Sequence, residues 1–145
     1  MVRMICSRSN ILVDADYFAK KCDLNEFKEI NDTYGHNIGD KILKMVSRKL
    51  QEIVRVTDTV SRYGGDEFMI LLEHIENTDE ASEIIEKIKS NFPVVCLESK
   101  SELHISISIG YASFPDEGTS FEQLSNLADI KMYDSKNDYY GYSRV

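Results

Sequence analysis

Two short runs, residues 59–63 and 68–73, flank the tetrapeptide Gly64-Gly65-Asp66-Glu67, and no other stretch narrows the available folds as much. Adjacent glycines supply the positive backbone angles of a tight reversal, so the runs read as two strands of one hairpin. The rest of the chain must fold around that hairpin. Tyr17–Leu24 reads as a short, unusually polar strand. Over residues 25–33 the spacing of Phe27, Ile30 and Tyr34 predicts a short helix closed by a turn at Gly35. Asp40 is expected to open a longer helix, whose apolar positions Ile42, Val46, Leu50 and Ile53 give one buried face.

Past the hairpin, Asn77 and Thr78 can cap a helix with Ala81, Ile84, Ile85, Ile88 and Phe92 as its inner stripe, ended by Pro93. Residues 94–97 and 104–112 read as two further strands, the second alternating Ile105, Ile107 and Ile109 with serines in the pattern of a half-buried strand. Ser120-Phe-Glu-Gln123 is a capping box for a last helix. The order β-α-α-β-β-α-β-β-α, with its central hairpin, predicts an α+β sandwich of helices on a mainly antiparallel sheet.

Composition supports one ordinary domain: 145 residues, 42% apolar and 29% charged, with 7 Gly and 2 Pro. The net charge of −8 leaves no basic stripe for a nucleic-acid polymer or an anionic membrane, so any phosphorylated ligand must be held locally. Charge is uneven, with 10 basic and 8 acidic side chains in residues 1–55 against 7 and 17 in residues 56–145. Three cysteines, Cys6, Cys22 and Cys96, form no CxxC and cannot all pair within the chain, which favours a reducing, cytoplasmic setting. No stretch approaches a membrane-spanning length. The scattered histidines give no zinc pattern, and no glycine-rich loop ends in Lys-Ser/Thr.

The chemistry gathers at strand ends. Gly64 and Gly65 leave bare backbone at a hairpin tip, where a flat base or a phosphate can approach, and Asp66 and Glu67 stand beside it. From spacing alone, the tetrapeptide is also compatible with a plain polar turn, and Asp23 with a helix cap. If Asp23 and Asp66 lie on neighbouring strands, two carboxylates converge and need a cation. Mg2+ is suited, because it takes one or two carboxylates together with phosphate oxygens.

Three segments together, Arg62-Tyr-Gly-Gly-Asp-Glu-Phe68, Phe27-Lys-Glu-Ile-Asn-Asp-Thr-Tyr-Gly-His-Asn-Ile-Gly-Asp40 and Ser108-Ile-Gly110, resemble the GGDEF family, the catalytic domains of diguanylate cyclases. The resemblance runs from about Asp23 to the C-terminus. It implies a fold like the palm of nucleotidyl cyclases and polymerases. It also implies the condensation of two GTP into cyclic di-GMP, with release of two pyrophosphates, by a homodimer using Mg2+, or Mn2+ in its place. By position, Asp23, Asp66 and the carbonyl of Leu24 are then expected to hold the metal. Asp66 and Glu67 are the expected catalytic pair, Glu67 either holding metal or helping to deprotonate the attacking hydroxyl. Asn31 and Asp40 are expected to read guanine, with helix capping as a competing role for Asp40. Gly64 and Gly65 would admit the nucleotide, while Lys28, Lys136 and backbone N–H groups near Phe27 would meet the β- and γ-phosphates.

Arg55-Val-Thr-Asp58 stands where many members of the family carry an RxxD product-inhibition site, which Arg and Asp suit by forking onto and accepting from guanine edges. The alternative is an exposed ion pair at a helix end. This chain departs from the family pattern at three places. Asn25 replaces a second aspartate. Tyr142 stands where a phosphate-binding Arg is expected, after two extra residues, which predicts weaker triphosphate affinity. Residues 1–21 do not resemble the usual leading segment, so they are expected to be a divergent or truncated N-terminal segment, with the domain over 22–145. An upstream sensory or receiver domain in a longer protein is the expected source of input. The altered phosphate loop leaves open a second function, an impaired module that binds GTP or cyclic di-GMP and signals through a partner.

Overall fold

The computed structural model describes residues 4–5, 12–13, 17–75, 77–92, 94–96 and 102–141. In chain order the elements are β1 (Met4–Ile5), β2 (Leu12–Val13), β3 (Tyr17–Leu24), α1 (Phe27–Tyr34), α2 (His36–Ile53), β4 (Thr59–Gly64) and β5 (Glu67–Glu73). They continue with α3 (Thr78–Ser90), β6 (Val94–Cys96), β7 (Glu102–His104), β8 (Ile107–Phe114) and α4 (Phe121–Tyr139). A four-stranded sheet in the order β4-β5-β3-β8 forms the centre, and all its pairings are antiparallel. β1 with β2 and β6 with β7 make two small separate pairs. The polar strand β3 is hydrogen-bonded on both sides, to β5 and β8, and it begins at Tyr17, within the segment that the sequence sets apart as 1–21.

Strand periodicity decides which helix each sheet face meets. Cys22, Leu24, Phe68, Ile70, Leu72, Ile107 and Ile109 are buried in one cluster with Ile42, Val46 and Leu50 of α2 and Ala81, Ile85 and Ile88 of α3. The alternate positions Leu71, Ala112 and Phe114 pack with Leu124 and Ala128 of α4 on the other face. Burying a Leu- or Ile-sized side chain contributes about 1.5–3 kcal/mol, so each stripe anchors its helix. On α4 the buried stripe is narrow, Leu124, Ala128 and Met132, and the helix lies directly on strand backbone. A Cβ at Gly110 of β8 would fall 1.9 Å from the Ala128 carbonyl oxygen and 2.3 Å from the Met132 nitrogen. Only glycine permits that approach.

The helix caps at Asn77 and Ser120 form as the sequence predicts, accepting from Glu80 N at 3.0 Å and Gln123 N at 3.2 Å. The return bond of the second cap lands one residue earlier, with Thr119 N donating to Gln123 Oε1 at 2.9 Å. Two expectations are corrected. Helix α2 opens at His36 rather than Asp40, because Gly35, at φ 82°, turns the chain without any side-chain cap. The expected strand 104–112 is two strands, β7 and β8, since Asn25 N bonds to Ser106 O at 3.1 Å in the gap. β8 is buried on both faces, its serines being covered by polar partners rather than by water.

Candidate active site

The ends of β3 and β5 and the N-terminus of α1 meet at one edge of the sheet. Register sets Asp23 beside Glu67 and Leu24 beside the turn, where Leu24 N donates to Asp66 O at 3.3 Å. Asp23 is buried and lies on the α4 side of the sheet. Lys136 Nζ reaches it from α4, donating to Oδ1 at 2.7 Å. Its role as a cap for α1 is excluded, since that helix starts after Glu26 (φ 58°) with no side-chain cap. The N-cap residue Glu26 gives the first N–H groups of α1, at Phe27 and Lys28, no side-chain acceptor, and such groups favour an anion.

Electrostatics mark the carboxylate pair. Burial, and then the charge of Asp23, push the Asp66 carboxyl above its ordinary value, against the opposing pull of its own backbone hydrogen bond, Lys136 and Arg62. Burial works against the Lys136 ammonium, but the hydrogen bond and charge of Asp23, with Tyr140 and Asp66 adding, hold it above the usual lysine value. Arg62 Nε donates to Gly65 O at 2.9 Å and so braces the turn. A Cβ at Gly64 or Gly65 would meet nothing within 4 Å, so the bare backbone faces open space. Among the described residues no three or more His, Cys, Asp and Glu side chains converge on one point. Two hard carboxylates, with the Leu24 carbonyl close by in sequence, fit a divalent cation that draws its other ligands from phosphate and water.

Asn31 and Asp40 come together through a helix corner. The Asn31 side chain rests on Gly39, where a Cβ would lie 1.9 Å from its Oδ1, so α1 is pressed onto the first turns of α2. Asp40 is the fifth residue of α2, not its cap, and its side chain is exposed in a cleft of about 610 Å³. Leu43, Lys44, Arg48, Arg62 and Phe68 also line that cleft between α2 and the hairpin.

Beneath the pair, Asn25 is buried and fully engaged. Its Nδ2 donates to Ser106 Oγ at 3.1 Å, and its Oδ1 accepts from Ser108 Oγ at 2.8 Å. These partners, over 80 residues away, give the Ser108-Ile-Gly110 segment a structural role that spacing could not reveal. The Arg55 guanidinium does not form an ion pair with the Asp58 carboxylate. Asp58 accepts from Arg55 N at 2.7 Å and from Glu73 N at 3.1 Å, while the Arg55 guanidinium pairs with Glu80 of α3. Arg55, Glu80, Glu83 and Lys87 border a second pocket of about 270 Å³. Tyr142 lies outside the described residues.

Known proteins match this arrangement. The chain is 40% identical over 115 residues to the bifunctional diguanylate cyclase/cyclic di-GMP phosphodiesterase MucR of Pseudomonas aeruginosa, covering 79% of this chain and 17% of MucR. It is 43% identical over 120 residues to the diguanylate cyclase DosC of Escherichia coli, covering 79% of this chain and 25% of DosC. The chain thus spans a quarter or less of the length of these two relatives. The crystal structure of the GGDEF domain of YfiN (TpbB) from Pseudomonas aeruginosa superposes with a TM-score of 0.80 at 31% identity, over 86% of this chain and 78% of that one. The GGDEF domain of DgcB from Caulobacter crescentus, solved in complex with c-di-GMP, gives 0.76 at 25% identity, over 85% and 73%. The sequence profile described as diguanylate cyclase, GGDEF domain, matches residues 13–140, and the chain therefore belongs to the GGDEF family.

Proposed function

We propose that this domain is a diguanylate cyclase that joins two GTP molecules into cyclic di-GMP, each domain of a two-fold dimer presenting one nucleotide. The observation that carries this reading is the nearness of Asp66, at the open, glycine-lined turn of the hairpin, to Asp23 at the end of the neighbouring strand, since two carboxylates at such a point suit a divalent cation. Mg2+, once bound, supplies Lewis-acid polarisation of the phosphate and neutralises charge on the leaving pyrophosphate. Asp23 and Asp66 hold it, with the Leu24 carbonyl as a further oxygen donor. In each half-reaction a 3′-oxygen loses its proton and forms a bond to the α-phosphorus of the other GTP, and the bond from that phosphorus to the bridging oxygen breaks to release pyrophosphate. Glu67 takes the proton, a role that its position across from Asp23 in the strand register supports. The N–H groups of Phe27 and Lys28, with the Lys28 side chain, orient the terminal phosphates, and Lys136 adds its charge from α4. Asp40 accepts from guanine N1–H and the exocyclic amine, and Asn31 beside it meets N3 or the sugar. Arg55 and Asp58 form the product-inhibition site. The domain takes in the whole of β3 and so begins before residue 22, and an upstream sensory or receiver domain delivers the signal.

A second reading rests on one contact. Lys136 is already spent on Asp23, which leaves less positive charge for a triphosphate and favours a module that binds nucleotide without turning it over. Incubation of concentrated protein with GTP and Mg2+, followed by mass spectrometry, separates the two. Cyclic di-GMP is the expected product, whereas bound GTP without product establishes the sensor reading.

A further inference from the structure

Asp40, Lys44 and Arg48 recur at every fourth residue of α2, a spacing that sets side chains along one helix face. All three line the cleft of about 610 Å³, with Arg62 and Phe68 of the hairpin on its opposite wall. Among the described residues none of the three makes an ion pair or a side-chain hydrogen bond, although Asp40 and Lys44 have the acid-then-base spacing that favours one. A chain of charge −8 thus leaves one carboxylate and, a turn further on, an ammonium turned toward the same open volume.

That pattern of acceptor followed by donor is the complement of one purine edge. Guanine presents its exocyclic amine and N1–H as donors and, next to N1, O6 as an acceptor. Adenine presents an amine at that last position. We propose that Lys44 donates to O6 of a guanine held by Asp40, and that this contact makes the cleft select a 6-oxo over a 6-amino purine. The inference rests on the reading that the cleft holds the base of GTP. Arg62, on the hairpin wall of the cleft, spends its Nε on Gly65 O at 2.9 Å and has only its Nη donors to offer. Arg48 stands two turns from Asp40, about 12 Å along the helix axis, too far to share one base edge with it.

The test compares binding of GTP and of 2,6-diaminopurine riboside triphosphate by titration calorimetry, in a Glu67→Gln background that prevents turnover. Both ligands carry the same triphosphate and the same 2-amine, so their affinity ratio is blind to general attraction of anions. Lys44→Ala is expected to lower the ratio about tenfold, the scale of one lost base-edge contact. Lys44→Arg should keep it. Arg48→Ala should weaken both ligands equally and leave the ratio unchanged. A Lys44→Ala ratio equal to that of the parent, with GTP still bound, overturns the role of Lys44 alone. No binding of GTP by the parent overturns the proposed function and this inference together.

Discussion

Lys136 donates to Asp23 across 113 positions of chain, tying the last helix to the central strand at the point where the second carboxylate also arrives. Without Lys136, the buried Asp23 side chain would lose its only ion pair among the described residues. Lys136→Met is expected to cost about 1–2 kcal/mol, because a charged group is left without its partner. Added Mg2+ should recover part of that loss in a urea titration. A variant whose stability is indifferent to Mg2+ would count against Asp23 as a metal ligand.

Asp66 is held in its place at a cost, since burial and Asp23 both disfavour its charge. Asp66→Asn should therefore abolish cyclic di-GMP formation while raising the melting temperature of the metal-free protein by about 1–2 °C, a small gain because the site is partly solvated. Scanning calorimetry on the apo protein reads the second effect, and a lower melting temperature would contradict it.

The Arg55 guanidinium is engaged by Glu80, so cyclic di-GMP must compete with an internal carboxylate. Glu80→Ala should tighten product binding about two- to fivefold, the scale of one exposed ion pair. Arg55→Ala should relieve product inhibition while leaving synthesis intact. Inhibition curves for the two variants should move in opposite directions, and parallel shifts would sink the competition.

Restoring the aspartate common in the family at position 25 should not help the fold. Asn25→Asp removes the donor that Ser106 accepts and places a carboxylate in a buried setting. A loss of about 1–3 kcal/mol is expected at neutral pH, smaller in acid where the new carboxyl is protonated. Equal stability at both pH values would mean that the serine pair re-orients at no cost.

Glu117 gives the acid limb of stability a specific origin. Burial opposes its charge, but the hydrogen bond from Lys131 at 2.6 Å and those from Ser113 N and Oγ outweigh it, so its pKa lies below the ordinary value of 4.5. A lowered folded-state pKa contributes stability that is present above 4.5 and is lost as the pH falls through the folded value. Glu117→Gln should flatten that part of the stability profile, and an unchanged acid limb would assign it elsewhere.

The sequence was most legible where structure is decided locally. The hairpin followed from Gly64 and Gly65, and the starts of α3 and α4 followed from Asn77 and Ser120, because a turn or a cap is settled within a few residues. The convergence of Asp23 and Asp66 was readable as a condition, that their strands be neighbours, and the order β5-β3 meets it. What escaped was settled at a distance or by backbone alone. Gly35 starts α2 with no capping side chain to announce it, so Asp40 looked like the helix opening. Glu80 finds Arg55, Lys136 finds Asp23 and Ser108 finds Asn25 only once the sheet has formed. Each of those side chains has an ordinary surface or strand role when read in sequence.

The contact of Gly110 with α4 has a consequence for mutational scanning. Met132 sits on that glycine, and Lys136 projects one helical turn further along. A hydrogen atom on β8 thus serves as the gauge that fixes how far along the sheet the ammonium is delivered. Gly110→Ala would present as the loss of the ammonium beside a carboxylate that the substitution never touches. A position with no functional group of its own can therefore score as part of the chemistry.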